Sequence, residues 1–434
     1  MNTVSDAAAV AAGAARDHYG RLVALLAAAD GDLPAAEDAL ADALERALRT
    51  WPQRGVPANP PGWLLTVARN RQRDRWKSAA AQRTTPLDPE HLGEPNALTE
   101  PNALTEPNAV TDSIAQIDPD AIGERRLELM LVCAHPAIPA NVHAALMLNT
   151  VLGFTAAQIA RAFAMPTSAM ATRLVRAKQR IKRDRLPFRI PDQAELPGRM
   201  SALLEAVYGA YVIEWAAGGP EERALPPEGL RLAEVLAEVC PNDPEVRGLA
   251  ALVLLSRARS PARLDGAGRF VPLAEQDPAR WDHAAIERAH HHLRAAYAQH
   301  SPGRFQLEAA IQALHCARRT GAPTNWDRLK DLHVALHRIT PSRGSATGLA
   351  AVLAETDGPQ AGLDLLDEWA TEMSRFQPAW ATRAHLLDLL GDRAAAVAAY
   401  DKAIALSTDR TERDHLAGLR HAVATGGWGR PLRP

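Results

Sequence analysis

The chain has 434 residues, a formal net charge of −2 and 47% hydrophobic residues, enough for roughly two to four domains. Much of the apolar content is alanine, aromatics make up only 5%, and β-branched runs are scarce, so an all-α protein is expected and a strand-rich one is not. Cys133, Cys240 and Cys316 lie far apart with no Cys-x-x-Cys spacing, which argues against a zinc site or a disulfide framework and fits a reducing, cytoplasmic compartment; no apolar run reaches the length of about 18 residues that a membrane span needs.

Residues 10–82 are expected to form a first helical domain. Leu22, Leu25 and Leu26 share an apolar face. Asp32 or the Leu33-Pro34 step opens a helix over Ala35 to Arg49, where Glu37, Asp38, Asp42 and Glu45 interleave with Leu40, Leu44 and Leu48. Asp38 and Asp42 are four apart and so share a helix face. Pro52, Gly55, Pro57, Pro60 and Pro61 mark a loop. A third helix, from about Gly62 to Ala80, begins amphipathic with Trp63. It becomes basic through Arg69, Arg71, Arg73, Arg75 and Lys77, against the single acid Asp74.

Residues 83–119 differ in kind. The hexad Glu-Pro-Asn-Ala-Leu-Thr starts at Glu94, at Glu100 and, with Val for Leu, at Glu106. Recurrent proline and little apolar surface give a tether rather than a packed element.

Residues 120–190 are expected to form a second helical domain. Apolar Leu127, Leu129, Met130, Leu131 and Val132 run up to His135-Pro136, and a helix follows from about Asn141 to Leu152. Thr155 can cap a short helix whose inner residues are Ile159, Ala160 and Phe163, and Ala164-Met165-Pro166 break it. Thr167 or Ser168 then caps a second helix with Met170, Leu174 and Val175 inward and Arg173, Arg176, Lys178 and Arg180 on or beyond the other side. A helix, a three-residue turn and a second helix rich in small, polar and basic residues places that second helix in a major groove. Small residues at Ser168, Ala169 and Ala171 let backbone approach base edges, and arginines grip guanine edges or phosphates.

Residues 191–434 read as helix after helix. Trp380, Ala384, Leu387, Leu390-Gly391, Ala395, Ala399-Tyr400, Ala403 and Leu406 resemble the tetratricopeptide pattern, with weaker units at Gly348 to Glu368 and Trp281 to His300. A short helical solenoid is expected, with a face able to hold a partner. His290, His291 and His292 are consecutive on a helix and point in different directions, so no metal is expected there. With no Gly-rich phosphate loop, Gly-x-Ser-x-Gly or paired-carboxylate site, neither an enzymatic activity nor a cofactor is expected.

The segment Phe154 to Lys182, with Thr172-Arg173-Leu174-Val175-Arg176-Ala177-Lys178 as its recognition-helix tail, resembles region 4 of sigma factors of the extracytoplasmic-function group. The run Ala36-Glu37-Asp38-Ala39-Leu40-Ala41-Asp42-Ala43-Leu44 resembles the acidic helix of region 2, which in that family docks on the polymerase clamp. Pro61-Gly62-Trp63-Leu64, Ala68-Arg69-Asn70-Arg71 and Asp74-Arg75 are similar to the segment that melts and reads the −10 element. Pro187-Phe188-Arg189-Ile190-Pro191 and Arg280-Trp281-Asp282 resemble the subgroup with a tetratricopeptide-like C-terminal extension. The chain departs from that subgroup at Cys133-Ala134-His135-Pro136, where Cys-Cys-His-Pro is usual, and at Val212-Ile213-Glu214-Trp215, where Phe-Asn-Glu-Gly-Tyr is expected.

The resemblance implies region 2 over 10–82, a flexible linker over 83–119, region 4 over 120–190 and the extension over 191–434. It implies polymerase contacts at Glu37, Asp38 and Asp42. Its DNA contacts would be Trp63, Arg69, Asn70, Arg73 and Lys77 at the −10 element and Thr167, Ser168, Ala169, Thr172, Arg173 and Arg176 at the −35 element. Core RNA polymerase and promoter DNA are the implied partners. The extension would act in cis or recruit a further protein. A protein-binding scaffold of tetratricopeptide type and a conventional operator-binding regulator are the alternative readings.

Overall fold

The computed structural model describes residues 3–27, 32–83, 129–163, 165–184, 186, 195–217, 228–321 and 323–426. The hexad repeat lies outside them. Among the described residues every regular element is helical, and the β interaction is an isolated bridge between Leu264 and Phe270. The all-α expectation therefore holds. The chain divides into two compact units, Met1–Gly209 and Ala210–Pro434.

In the first unit α1 (Thr3–Ala27), α2 (Leu33–Arg54) and α3 (Pro60–Arg83) pack on one another. Asp32 caps α2 by accepting from the Ala35 N–H at 3.1 Å, with Pro34 tolerated in the first turn. Leu33, Ala36, Leu40, Ala43, Ala47 and Trp51 recur every three or four residues and form its buried face. The expected loop at Pro52 is corrected, since α2 continues through that proline to Arg54. A proline in the last turn leaves only the Leu48 carbonyl without its helical donor, and Leu48 lies on the solvent side, 50% exposed. Gly55 ends the helix at φ +85° and returns its N–H to the Trp51 carbonyl at 3.0 Å. Likewise α3 starts at Pro60 rather than Gly62, because the Asn59 side chain accepts from the Gly62 N–H at 3.0 Å and both prolines fit a first turn.

A helical turn over 129–133 leads to α4 (Ala140–Thr150), α5 (Ala156–Ala162) and α6 (Thr167–Arg183). Thr155 caps α5 in a reciprocal capping box with Gln158. Helix α6 is strongly amphipathic, with Met170, Leu174, Ala177 and Ile181 buried at helical spacing. Two inward assignments are corrected. Val175 is 54% exposed and Phe163 is 39% exposed, because Val175 falls one residue past the stripe set by Met170, Leu174 and Ala177, and α5 ends at Ala162. The start of α6 also differs from expectation. Pro166 occupies the capping position with no side-chain bond, and Thr167 is the first helical residue.

The division between the units falls within α7 (Leu196–Ala217). On the first unit's side, buried Arg199 donates to the Leu131 carbonyl at 3.0 Å and to Glu195 at 3.1 Å. The second unit contains α8 (Glu228–Val239), α9 (Pro244–Ala258), α10 (His283–Tyr297), α11 (Arg304–Cys316), α12 (Trp326–Ile339), α13 (Arg343–Thr356), α14 (Pro359–Glu368), α15 (Ala370–Met373), α16 (Gln377–Leu389), α17 (Arg393–Leu406) and α18 (Arg410–Ala424). From α11 to α18, helices adjacent in the chain pack over three successive apolar clusters. The first centres on Ile311, Leu329, Leu336 and Val352, the next on Leu363, Leu366 and Leu386, and the last on Ala396, Ala399, Tyr400 and Ala403. The turn expected at Leu390-Gly391 separates α16 from α17, with Gly391 at φ +82°, a conformation that glycine adopts without Cβ strain.

Candidate nucleic-acid interface

Two cationic surfaces stand in the first unit. On α6, burial of Met170, Leu174 and Ala177 turns the opposite face outward. Thr167, Ser168, Thr172, Arg173 and Arg176 are exposed there, and Ala169 is half-buried. The Thr172 hydroxyl donates back to the Ser168 carbonyl at 2.9 Å. The second surface is on α3, where Arg69, Asn70 and Arg73 are exposed within five residues. Lys77 falls in the same helix, but its side chain lies outside the described residues.

Trp63 is half-buried and meets Trp51 edge-to-face, with ring centroids 5.4 Å apart and planes at 68°. Its ring is thus held from one side by the end of α2. Trp51 was not among the sequence candidates, although its place on the buried stripe of α2, four residues after Ala47, is a sequence-level signal of an inner aromatic.

The acidic residues of α2 have more elaborate surroundings than the sequence suggests. Asp38 and Asp42 are both exposed. Asp42 is bonded to Arg71 of α3 at 2.7 Å. Glu37 receives the Lys178 ammonium on both carboxylate oxygens, at 2.6 and 2.7 Å. The Lys178 and Glu37 side chains are 14% and 18% exposed. Lys182, one turn further along α6, meets Asp32 at 2.6 Å. Glu37 and Lys178 are 141 residues apart in the chain. The sequence hint was limited to two lysines four apart on α6.

Burial dominates the titration of the neighbouring groups. It pushes the fully buried Cys133 thiol up to about 12, with Lys178 opposing and Glu37 reinforcing the shift. Burial likewise raises the Tyr19 phenol, assisted by the charges of Glu37 and Asp38. Neither group is a nucleophile or a base near neutral pH. The three cysteines are free thiols. Among the described residues no helix is long and apolar enough to cross a membrane.

Residues 14–82, which hold most of α1 and all of α2 and nearly all of α3, match the family sigma-70 region 2. Residues 199–297 match a family of unknown function, DUF6596. An uncharacterized protein, R00370, of Rhizobium meliloti (strain 1021) is 33% identical over 403 residues, covering 91% of this chain and 92% of that protein. No solved structure matches the chain. The region 2 match fits the acidic α2 and the basic α3 described above. The chain accordingly belongs to one family with the Rhizobium meliloti protein and is a sigma-70 family factor, a protein of transcription initiation.

Proposed function

We propose that the chain is a sigma factor of the extracytoplasmic-function group which binds core RNA polymerase through α2 and directs it to promoters with two DNA elements. Glu37, Asp38 and Asp42 give α2 an acidic face suited to a basic clamp surface. Region 2 reads and melts the −10 element. Arg69, Arg73 and Lys77 neutralise phosphate, Asn70 reads a base edge, and Trp63 flanks an unpaired base with its exposed part. Region 4 reads the −35 element through Thr167, Ser168, Ala169, Thr172, Arg173 and Arg176 of α6. The tetratricopeptide-like second unit regulates this activity in cis or recruits a further protein.

The observation that carries the reading is the pair of exposed cationic faces, Arg69/Asn70/Arg73 and Ser168/Thr172/Arg173/Arg176, in the same unit as the acidic helix α2. A protein-binding scaffold has no need of all three. The test is transcription with purified chain, core polymerase and a promoter library, reading transcript starts. A shared pair of sequence elements upstream of the starts is expected, and it should fade in an R173A/R176A double variant. Starts no different from core polymerase alone would reject the reading. Tight binding to duplex DNA without polymerase would favour an operator-binding regulator instead.

A further inference from the structure

We propose that the second unit binds a small organic carboxylate at Arg259, where the C-terminal ends of α9 and α11 meet the loop over 259–282. The site and its test lie within the second unit, so the proposal stands apart from promoter reading. Arg259 directly follows α9. Its guanidinium donates to the Gln312 side-chain oxygen of α11, and its buried Nε–H has no partner among the described residues. The ionisable groups that act on Arg259 are Cys316 of α11 and Tyr211 of α7. Burial raises both above their ordinary values, so both are neutral near pH 7. His315 is neutral there as well, held to about 4 by burial and by Arg259 itself. Arg259 is therefore a cation in neutral surroundings.

Two other arginines show the contrast. Buried Arg199 pairs with Glu195 at 3.1 Å. Arg263 is held by Glu412 at 2.8 Å and rests on the Trp215 ring at 4.7 Å. The carbonyl ends of α9 and α11 offset part of the Arg259 charge, each acting as about half a negative charge, but they give Nε no acceptor. A buried donor without an acceptor is costly to a folded chain and points to a missing partner. A second such donor belongs to the same loop. The buried Trp281 indole N–H has no partner among the described residues. The next residue, Asp282, ties the loop to the end of α9 by donating its N–H to the Ala258 carbonyl at 2.9 Å. On the side of α11, Arg318 holds the loop through the Ala274 carbonyl at 2.8 Å.

These surroundings select the ligand. One negative charge balances Arg259, whereas phosphate carries a second charge near neutral pH and would leave it buried among neutral groups. A carboxylate presents two oxygens in one plane, which suits the planar guanidinium and its charge-assisted bonds. The buried rings of Tyr211 and Trp281 suit the apolar part of such an acid and keep water out. The Nε–H is shielded from solvent, so the acid must be small.

Thermal unfolding of the full-length chain tests the proposal. Acetate is the probe, exchanged for chloride at constant ionic strength near neutral pH, with phosphate in a parallel series. The melting temperature should be flat below about 1 mM acetate, an ordinary dissociation constant for so small a ligand, and rise with the logarithm of concentration above it. Arg259→Met should abolish the rise. Arg259→Lys keeps the charge and loses the planar fork, so the onset should move to about tenfold higher acetate. If Arg259→Met unfolds too early to be titrated, Arg259→Lys decides. No rise with acetate, a rise that persists in Arg259→Met, or an Arg259→Lys onset equal to that of the parent overturns the proposal. So does a phosphate onset below that of acetate, which would assign the site to a dianion.

Discussion

Gly20 decides how closely α1 approaches the end of α4. Any side chain there meets the Val151 backbone, which cannot rotate out of the way as a flexible side chain can. Gly20→Ala is expected to destabilise the first unit by roughly 2 kcal/mol, at the upper end for one added methyl in a packed interior. Gly13, in the same helix, has nothing within 4 Å of its would-be Cβ, so Gly13→Ala should stabilise by about 0.5–1 kcal/mol through helix propensity. Thermal unfolding of both variants checks the pair, and a neutral Gly20→Ala would show that α1 and α4 need not approach so closely. At this scale the sequence was partly readable. The exposure of Asp38 and Asp42 follows from their spacing against Leu40 and Ala43. The bond from Glu37 to Lys178 does not, because it joins residues far apart in the chain and depends on how α6 lies on α2.

Capping chemistry made the helices around the DNA face legible, with one instructive exception. Thr155 was expected to cap α5, and it does so reciprocally with Gln158. Thr167 or Ser168 was expected to cap α6, yet Pro166 takes that position, and its fixed φ near −63° suits the extended backbone there. The two threonines should therefore respond differently. Thr155→Ala is expected to cost about 1 kcal/mol of stability, whereas Thr167→Ala should leave the melting temperature almost unchanged. Equal losses in thermal unfolding would mean that Thr167 holds α6 after all. On the exposed side of the same helix, Arg173→Ala and Arg176→Ala should each weaken promoter binding by the polymerase complex. An arginine that bonds a guanine edge relaxes sequence preference by about 1–3 kcal/mol, while one that contacts phosphate lowers the salt slope by about one unit. Titrations at several salt concentrations distinguish the two roles. Helix pattern alone placed both arginines outward but misplaced Val175, because that periodicity does not fix which edge of a stripe meets the neighbouring helix.

The second unit has a pH response of its own. His315 and His333 are held down to about 4, His315 by burial and nearby Arg259 and His333 by burial alone. Both bind protons more readily in the unfolded chain, near their ordinary value of 6.5. Stability should thus fall as pH drops from about 6.5 to about 4 and be unaffected by these residues at neutral pH and above. With partial solvent screening the loss is roughly 1–2 kcal/mol per histidine. A His333→Gln chain should show a shallower decline of melting temperature over that window, and an unchanged slope would remove His333 from the account. The division between the units yields a further prediction. It falls after Gly209, inside α7. In the first unit Arg199 bonds the Leu131 carbonyl, Leu203, Leu204 and Val207 are buried, and Leu148 sits against the would-be Cβ of Gly209 at 3.1 Å. The run of helical residues from Leu196 to Ala217 carries no proline after Pro197 to mark this junction. A chain ending at residue 195 therefore loses apolar cover worth about 1.5–3 kcal/mol for each of those three side chains. It is expected to unfold at a lower temperature than a chain ending at residue 217, which keeps that cover. Transcription assays on the two truncations then have distinct meanings. Activity lost in the shorter chain and retained in the longer one assigns the defect to folding of the first unit. Activity lost in both, with the longer chain still melting cooperatively, assigns a positive role to the second unit.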